Sequence, residues 1–122
     1  MAHAKNYQDN IDPAIEVVTV VATAATSQGD FVIDGPWFGV ALNDAAIGED
    51  LSIDIVAHKR CIGNSTVAVA ATIGAAIYLN PSTGVYATAS ATGNALIGYT
   101  TEVKDSNNYF EFEKVTYTTV AA

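Results

Sequence analysis

The chain has 122 residues, half of them hydrophobic and 15% charged, and thirteen acids against five bases give a net charge of −8. That length supports one domain with a buried core, and that composition argues against extensive disorder. The five bases, Lys5, Lys59, Arg60, Lys104 and Lys114, are too few to neutralise a nucleic-acid backbone or hold an anionic membrane, so neither is expected as a partner.

Residues 1–14 are polar, include Asp9, Asp12 and Pro13, and show no period, which predicts an N-terminal arm ahead of a β-rich domain over 15–122. The β-branched run from Ile15 to Thr23 predicts a strand. Ser27 to Asp30 reads as a turn, Phe31 to Ile33 as a short strand, and Asp34-Gly35-Pro36 as the next turn. Trp37 to Leu42 reads as a buried strand in which Gly39 marks a bulge or a close backbone approach. Leu51, Ile53 and Ile55 then alternate with Ser52 and Asp54, which predicts a half-buried strand with Asp54 on its wet side.

His58-Lys59-Arg60 falls at a strand end and Gly63 to Thr66 at a turn. Residues 67–76 fit a strand with at most one helical turn. Ile77 to Leu79 and Val85 to Ala87 flank the loop Asn80–Gly84, the pattern of a β-hairpin. Thr92-Gly93-Asn94 turns into a strand from Ala95 to Thr100, and Asp105 to Asn108 is a polar turn. Tyr109 to Tyr117 closes the chain, with Phe110 and Phe112 inward, Glu111 and Glu113 outward, and a slip near Lys114. The sum is all-β: a single compact β-barrel or β-sandwich of about eight to ten short strands with an extended N-terminal arm.

Signals for chemistry are sparse. One cysteine, Cys61, excludes an internal disulfide, and no secretory or membrane-spanning pattern is present, so folding in a reducing cytoplasm is expected. His3 lies in the arm. His58 and Cys61 would point to opposite faces of a strand, so no nucleophile stands beside a base. Zinc ligands do not cluster. Asp44, Glu49, Asp50 and Asp54 lie close in sequence but match no calcium loop, and they read as solvated turn carboxylates. No enzyme activity, cofactor or metal is expected. Lys59-Arg60 is either a solvated strand end or a spot for an acidic partner surface. Of Trp37 and Phe38, at least one belongs in the core.

Several stretches together carry a family resemblance. Lys5-Asn6-Tyr7 is followed by Gly29-Asp30-Phe31-Val32 and by the run from Phe38-Gly39-Val40-Ala41 to Ile47-Gly48-Glu49. Ile73 to Tyr78, Gly84, and Thr92-Gly93-Asn94-Ala95-Leu96-Ile97-Gly98 come later. In this order, over roughly residues 5–100, the chain resembles small phage capsid decoration (cement) proteins, encoded near the major capsid protein and long known only as a domain of unknown function. It departs from them at His58-Lys59-Arg60-Cys61, where a blander strand is expected, and in a longer tail after Thr101.

The resemblance implies a non-catalytic β-domain on the outer surface of the assembled, expanded head. There it would bridge copies of the major capsid protein, often as a homotrimer. The glycines of the shared stretches would be turn positions. Lys5, Asn6, Tyr7 and Gln8 are the expected capsid contacts, with Lys59 and Arg60 next. The rival readings are a head-fibre base or tail-associated protein, and a carbohydrate-binding β-module, which would need a row of exposed aromatics.

Overall fold

The computed structural model describes Ala4, Asn6, Tyr7 and residues 15–122. Nine strands and no helix run through them: β1 (Val17–Val21), β2 (Phe31–Asp34), β3 (Trp37–Ala41), β4 (Asp50–Asp54), β5 (Arg60–Asn64), β6 (Ala76–Leu79), β7 (Tyr86–Ala87), β8 (Ala95–Glu102) and β9 (Tyr109–Lys114). They form two antiparallel sheets, and neither closes into a barrel. The first half of the chain builds the order β1-β4-β3-β2 and the second half the order β5-β9-β8-β6-β7.

Alternation along the strands assigns the faces. In β2, Phe31 and Ile33 join one core while Val32 joins another. Phe31 and Phe38 pack with Ile77, Ile97, Phe110 and Phe112 of the second sheet. On the opposite side, Val32, Leu51 and Ile53 pack with Ala22 and Ala45. Those alanines come from the loops after β1 and β3, which are joined by reciprocal backbone bonds between Thr26 and Ala45. The β2–β3 hairpin of the first sheet is therefore covered on both sides, while β1 keeps one exposed face.

The turn between β2 and β3 has two residues, because Asp34 pairs with Trp37. Gly35 enters it at φ 55, a region open to glycine without a Cβ clash. Gly39 is a close approach rather than a bulge. The β2–β3 register is unbroken, and a Cβ on Gly39 would lie 2.7 Å from the carbonyl oxygen of Asp54.

β3 and β4 pair at Val40 and Ala41, and Leu42 N–H still donates to Ser52 C=O, but toward Trp37 the ladder stops. The segment after β9 enters the gap. Phe38 N–H donates to Thr116 C=O, the Thr116 hydroxyl donates to Ile55 C=O, and Thr118 N–H donates to Pro36 C=O. Val120 then bridges to Ala95. Residues 101–122 thus complete the domain: β9 sits between β5 and β8, and the tail stitches one sheet to the other.

Several local expectations change. Residues 67–75 form turns, not a strand, since Ala70 (φ 56) and Gly74 (φ 82) interrupt any extended run. The alanine-rich composition there gives little strand preference to resist this. Gly63 lies inside β5, because a Cβ would meet the Phe110 ring at 2.6 Å and the Tyr86 hydroxyl at 2.7 Å. The alternation in β9 does not slip: Lys114 is buried in phase with Phe110 and Phe112. The irregular steps fall in β8, between Thr100 and Glu102 against β9 and between Leu96 and Gly98 against β6. The hairpin of β6 and β7 forms as expected, with Leu79 opposite Tyr86.

Candidate contact face and buried ionic node

Because Cys61, Phe110 and Phe112 turn inward, their strand neighbours face out. Arg60 stands opposite Glu113, Ile62 opposite Glu111, and Asn64 opposite Tyr109. On the other side of β9, Tyr99 stands opposite Glu113. Arg60 Nη1 is 3.7 Å from Glu111 Oε1, and the Thr101 hydroxyl donates to the same oxygen at 2.7 Å. The Arg60 side chain itself is 66% exposed and only loosely paired at that distance, so it remains available to a partner.

The described arm residues reach this face. Asn6 N–H donates to Gly29 C=O and Tyr7 N–H to Ile62 C=O, both at 2.8 Å. Ile62 N–H donates to Asn6 Oδ1 at 2.9 Å, and Ala4 C=O accepts from Phe31 N–H. Residues 4, 6 and 7 therefore connect the start of β2 to the outer edge of β5. The Tyr7 ring meets Tyr109 edge-on, with centroids 5.4 Å apart. The fold so brings Tyr7 and Arg60 onto one face beside Tyr99 and Tyr109. Tyr7, Tyr99 and Tyr109 are 50%, 47% and 40% exposed. Lys5 and Gln8 lie outside the described residues. Sequence reasoning missed Tyr99 and Tyr109 as surface residues. Tyr109 was readable, being in phase with Glu111 and Glu113.

Lys59 is not on that face. It is buried, and its ammonium donates to Asp54 Oδ2. Asp54 is only 1% exposed, which corrects the expectation of a wet side on β4. The side of β4 opposite Leu51 and Ile53 is the side against which the second sheet closes. Glu16 N–H at 3.1 Å and Val56 N–H at 3.2 Å also donate to Asp54 Oδ1. Burial opposes the charge, but the Lys59 hydrogen bond, the two backbone donors and the Lys59 charge outweigh it. They hold the carboxyl below its ordinary range.

Lys114 joins this node from β9. Its ammonium donates to Val56 C=O at 2.9 Å and Val115 C=O at 3.0 Å, and lies 5.4 Å from the Phe38 ring centroid. Burial dominates and lowers its pKa from 10.5 to about 8. The folded state therefore holds fewer protons than the unfolded state between about 8 and 10.5, and stability rises with pH across that window. Burial acts in the opposite sense on Cys61, pushed up from 9.0 to about 12, and on Tyr86, also raised. Their folded forms keep protons that the unfolded forms lose, so stability falls as pH climbs beyond the ordinary thiol value. Urea midpoints are expected to rise from pH 7 to a maximum near pH ~9 and then decline. Lys114→Met is expected to lack the rise; a flat wild-type profile up to pH ~9 would contradict the assignment.

Cys61 and His58 do not meet. Cys61 is fully buried with its thiol pushed up to about 12, whereas the His58 side chain is 83% exposed, with Nδ1 3.7 Å from Glu113 Oε1. The carboxylates of the first sheet's loops accept from backbone N–H groups of those same loops. Asp44 Oδ1 accepts from Gln28 N–H and Glu49 Oε1 from Ala46 N–H. Among the described residues no three metal-ligand side chains gather. Phe38 is the core member of its pair with Trp37. Trp37 is half-buried, its ring 5.3 Å from that of Tyr117.

A comparison with protein families matches residues 11–115 to the phage cement proteins. The match spans all nine strands and ends one residue beyond Lys114. No curated protein and no solved structure matches the chain.

Proposed function

The chain belongs to the phage cement protein family, and from that premise we propose that it binds the outer surface of the assembled, expanded head and bridges capsid subunits. The family gives it a structural role at the phage capsid, as part of the virion. What supports the finer reading is the outer face of the second sheet, which Tyr7, Tyr99 and Tyr109 share with Arg60. Tyrosine and arginine are the side chains that most often dominate interfaces, because they combine large contact area with directed donors.

Charge supports it too. With Lys59 and Lys114 buried, Arg60 and Lys104 are the remaining bases among the described residues. The surface is otherwise carboxylate-rich, which keeps crowded particles apart and leaves the Arg60 guanidinium as the group on this face that would meet an acidic group of the partner. In this proposal the contacts are Asn6, Tyr7 and Arg60, together with Lys5 and Gln8, which flank Asn6-Tyr7 in sequence. Lys59 contributes by neutralising Asp54 under the sheet. The partner is the major capsid protein, a homotrimer engages several subunits at once, and no catalytic step is involved. Synthesis takes place in the host cytoplasm.

The test is co-sedimentation with shells of the source phage that lack this protein, expanded and unexpanded. Saturable binding to expanded shells, with greater resistance of the shell to heat, is the expected result. Tyr7→Ala and Arg60→Glu are each expected to weaken binding about tenfold or more, with unchanged unfolding midpoints. These side-chain changes are cleaner than removing the arm, since Ala4, Asn6 and Tyr7 are bonded to the domain. Absence of binding to either shell would refute the reading and favour a tail or glycan target.

A further inference from the structure

β1 is an edge strand, paired with β4 alone among the described residues. Two bonds set its phase: Ile55 N–H donates to Glu16 C=O, and Ala22 N–H donates to Glu49 C=O. Glu16, Val18, Val20 and Ala22 therefore turn their backbone groups toward β4. Val17, Thr19 and Val21 turn theirs outward. The same three side chains are exposed, Val17 at 47% and Val21 at 57%.

Edge strands of soluble proteins normally carry a lysine, a proline or a bulge that blocks pairing with another chain. β1 has none of these. Its sequence, Val17-Val18-Thr19-Val20-Val21, is uncharged within a chain of net charge −8, and it reads the same in both directions about Thr19.

We infer that β1 pairs antiparallel with β1 of a second copy, across a two-fold axis at Thr19, joining two four-stranded sheets into one of eight. In that register Val17 faces Val21 of the second copy, and Thr19 faces Thr19. The outward N–H and C=O groups of all three residues then find partners on both copies, because the hydrogen-bonding phase and the sequence share one centre. The two Glu16 carboxylates fall at opposite ends of the paired strands, so no like charges are brought together. A strand from another protein would need its own uncharged, β-branched match, whereas a second copy supplies it by symmetry. One five-residue strand pair is smaller than a stable dimer interface, so the association is weak in dilute solution and gains where copies are crowded.

The test uses the full chain at high concentration with Thr19→Cys or Val21→Cys under a mild oxidant. Both positions are exposed, and the native Cys61 is fully buried and does not interfere. Directly opposed residues of a hydrogen-bonded pair lie about 5.5 Å apart, within disulfide reach. The two Val21 positions lie about 13 Å apart in this register and cannot be bridged. Thr19→Cys is expected to form the disulfide dimer at least about tenfold faster than Val21→Cys. Thr19→Lys, which sets two ammonium groups against each other on the axis, is expected to abolish the concentration-dependent dimer seen by sedimentation. Equal cross-linking of the two cysteines, or no dimer from either, would overturn the proposal.

Discussion

Asp54→Ala is expected to lower the unfolding free energy by about 3–5 kcal/mol, measured by urea denaturation at pH 7. The carboxylate is fully buried and takes three donors, from Lys59, Glu16 and Val56. Removing it leaves the Lys59 ammonium in the interior without a counter-charge, beside the Lys114 ammonium, and leaves two backbone N–H groups without their acceptor. The loss comes mainly from those stranded groups rather than from the net worth of the ion pair. Asp54→Ala combined with Lys59→Met should therefore fall short of the sum of the single effects by about 1–3 kcal/mol. Acid supplies a second check. The Asp54 carboxyl sits below its ordinary 3.8, so its contribution is complete above that value and disappears as pH falls through the lower folded value. The gap between wild type and Asp54→Ala should close over that range. A gap that persists unchanged in acid would assign the loss to packing instead.

Phe112→Ala is expected to cost about 3–5 kcal/mol, again by urea unfolding, without changing which strands pair. Phe112 is completely buried at the centre of β9, between Cys61 of β5 and Thr100 of β8. Its ring lies 5.5 Å from Phe31 and 6.1 Å from Phe110, and Phe31 reaches on to Phe38 at 5.6 Å. This aromatic group is where the two sheets touch, so truncation opens a cavity that strands on both sides must collapse into. Phe112→Leu, which keeps most of the volume, should lose well under half as much. A loss below about 1 kcal/mol for the alanine variant would mean the sheets close over the gap easily.

Where local pattern and burial agree, the sequence was readable. The hairpin across Asn80–Gly84, the Gly35-Pro36 turn and the Phe110/Phe112 alternation all stand as their residues predict. Gly29, Gly48, Gly74, Gly84 and Gly93, drawn from the family-like stretches, all take positive φ, as turn glycines should. Gly39 and Gly98 of the same stretches are not turn positions: like Gly63, they serve the close packing of a neighbouring strand or ring, which spacing along the chain cannot reveal. The contact face was half legible. Tyr7 and Arg60 were identified separately, but their shared face depends on hydrogen bonds from Asn6 and Tyr7 to Gly29 and Ile62. The departure at His58-Lys59-Arg60-Cys61 also acquires a reason, because Lys59 neutralises Asp54 inside the domain.

By itself, then, the sequence determined an all-β domain, most of its turns, an acidic surface and a family. Those properties follow from composition, from the two-residue period of strands and from local turn chemistry, each readable within a few residues. Tertiary structure alone decided that Asp54, Lys59 and Lys114 meet in the interior, that β1 is left at an edge, and that residues 116–121 join the two sheets. Alternation sorts a strand's residues into two faces but does not say which face another sheet will cover. That depends on contacts between residues far apart in the chain.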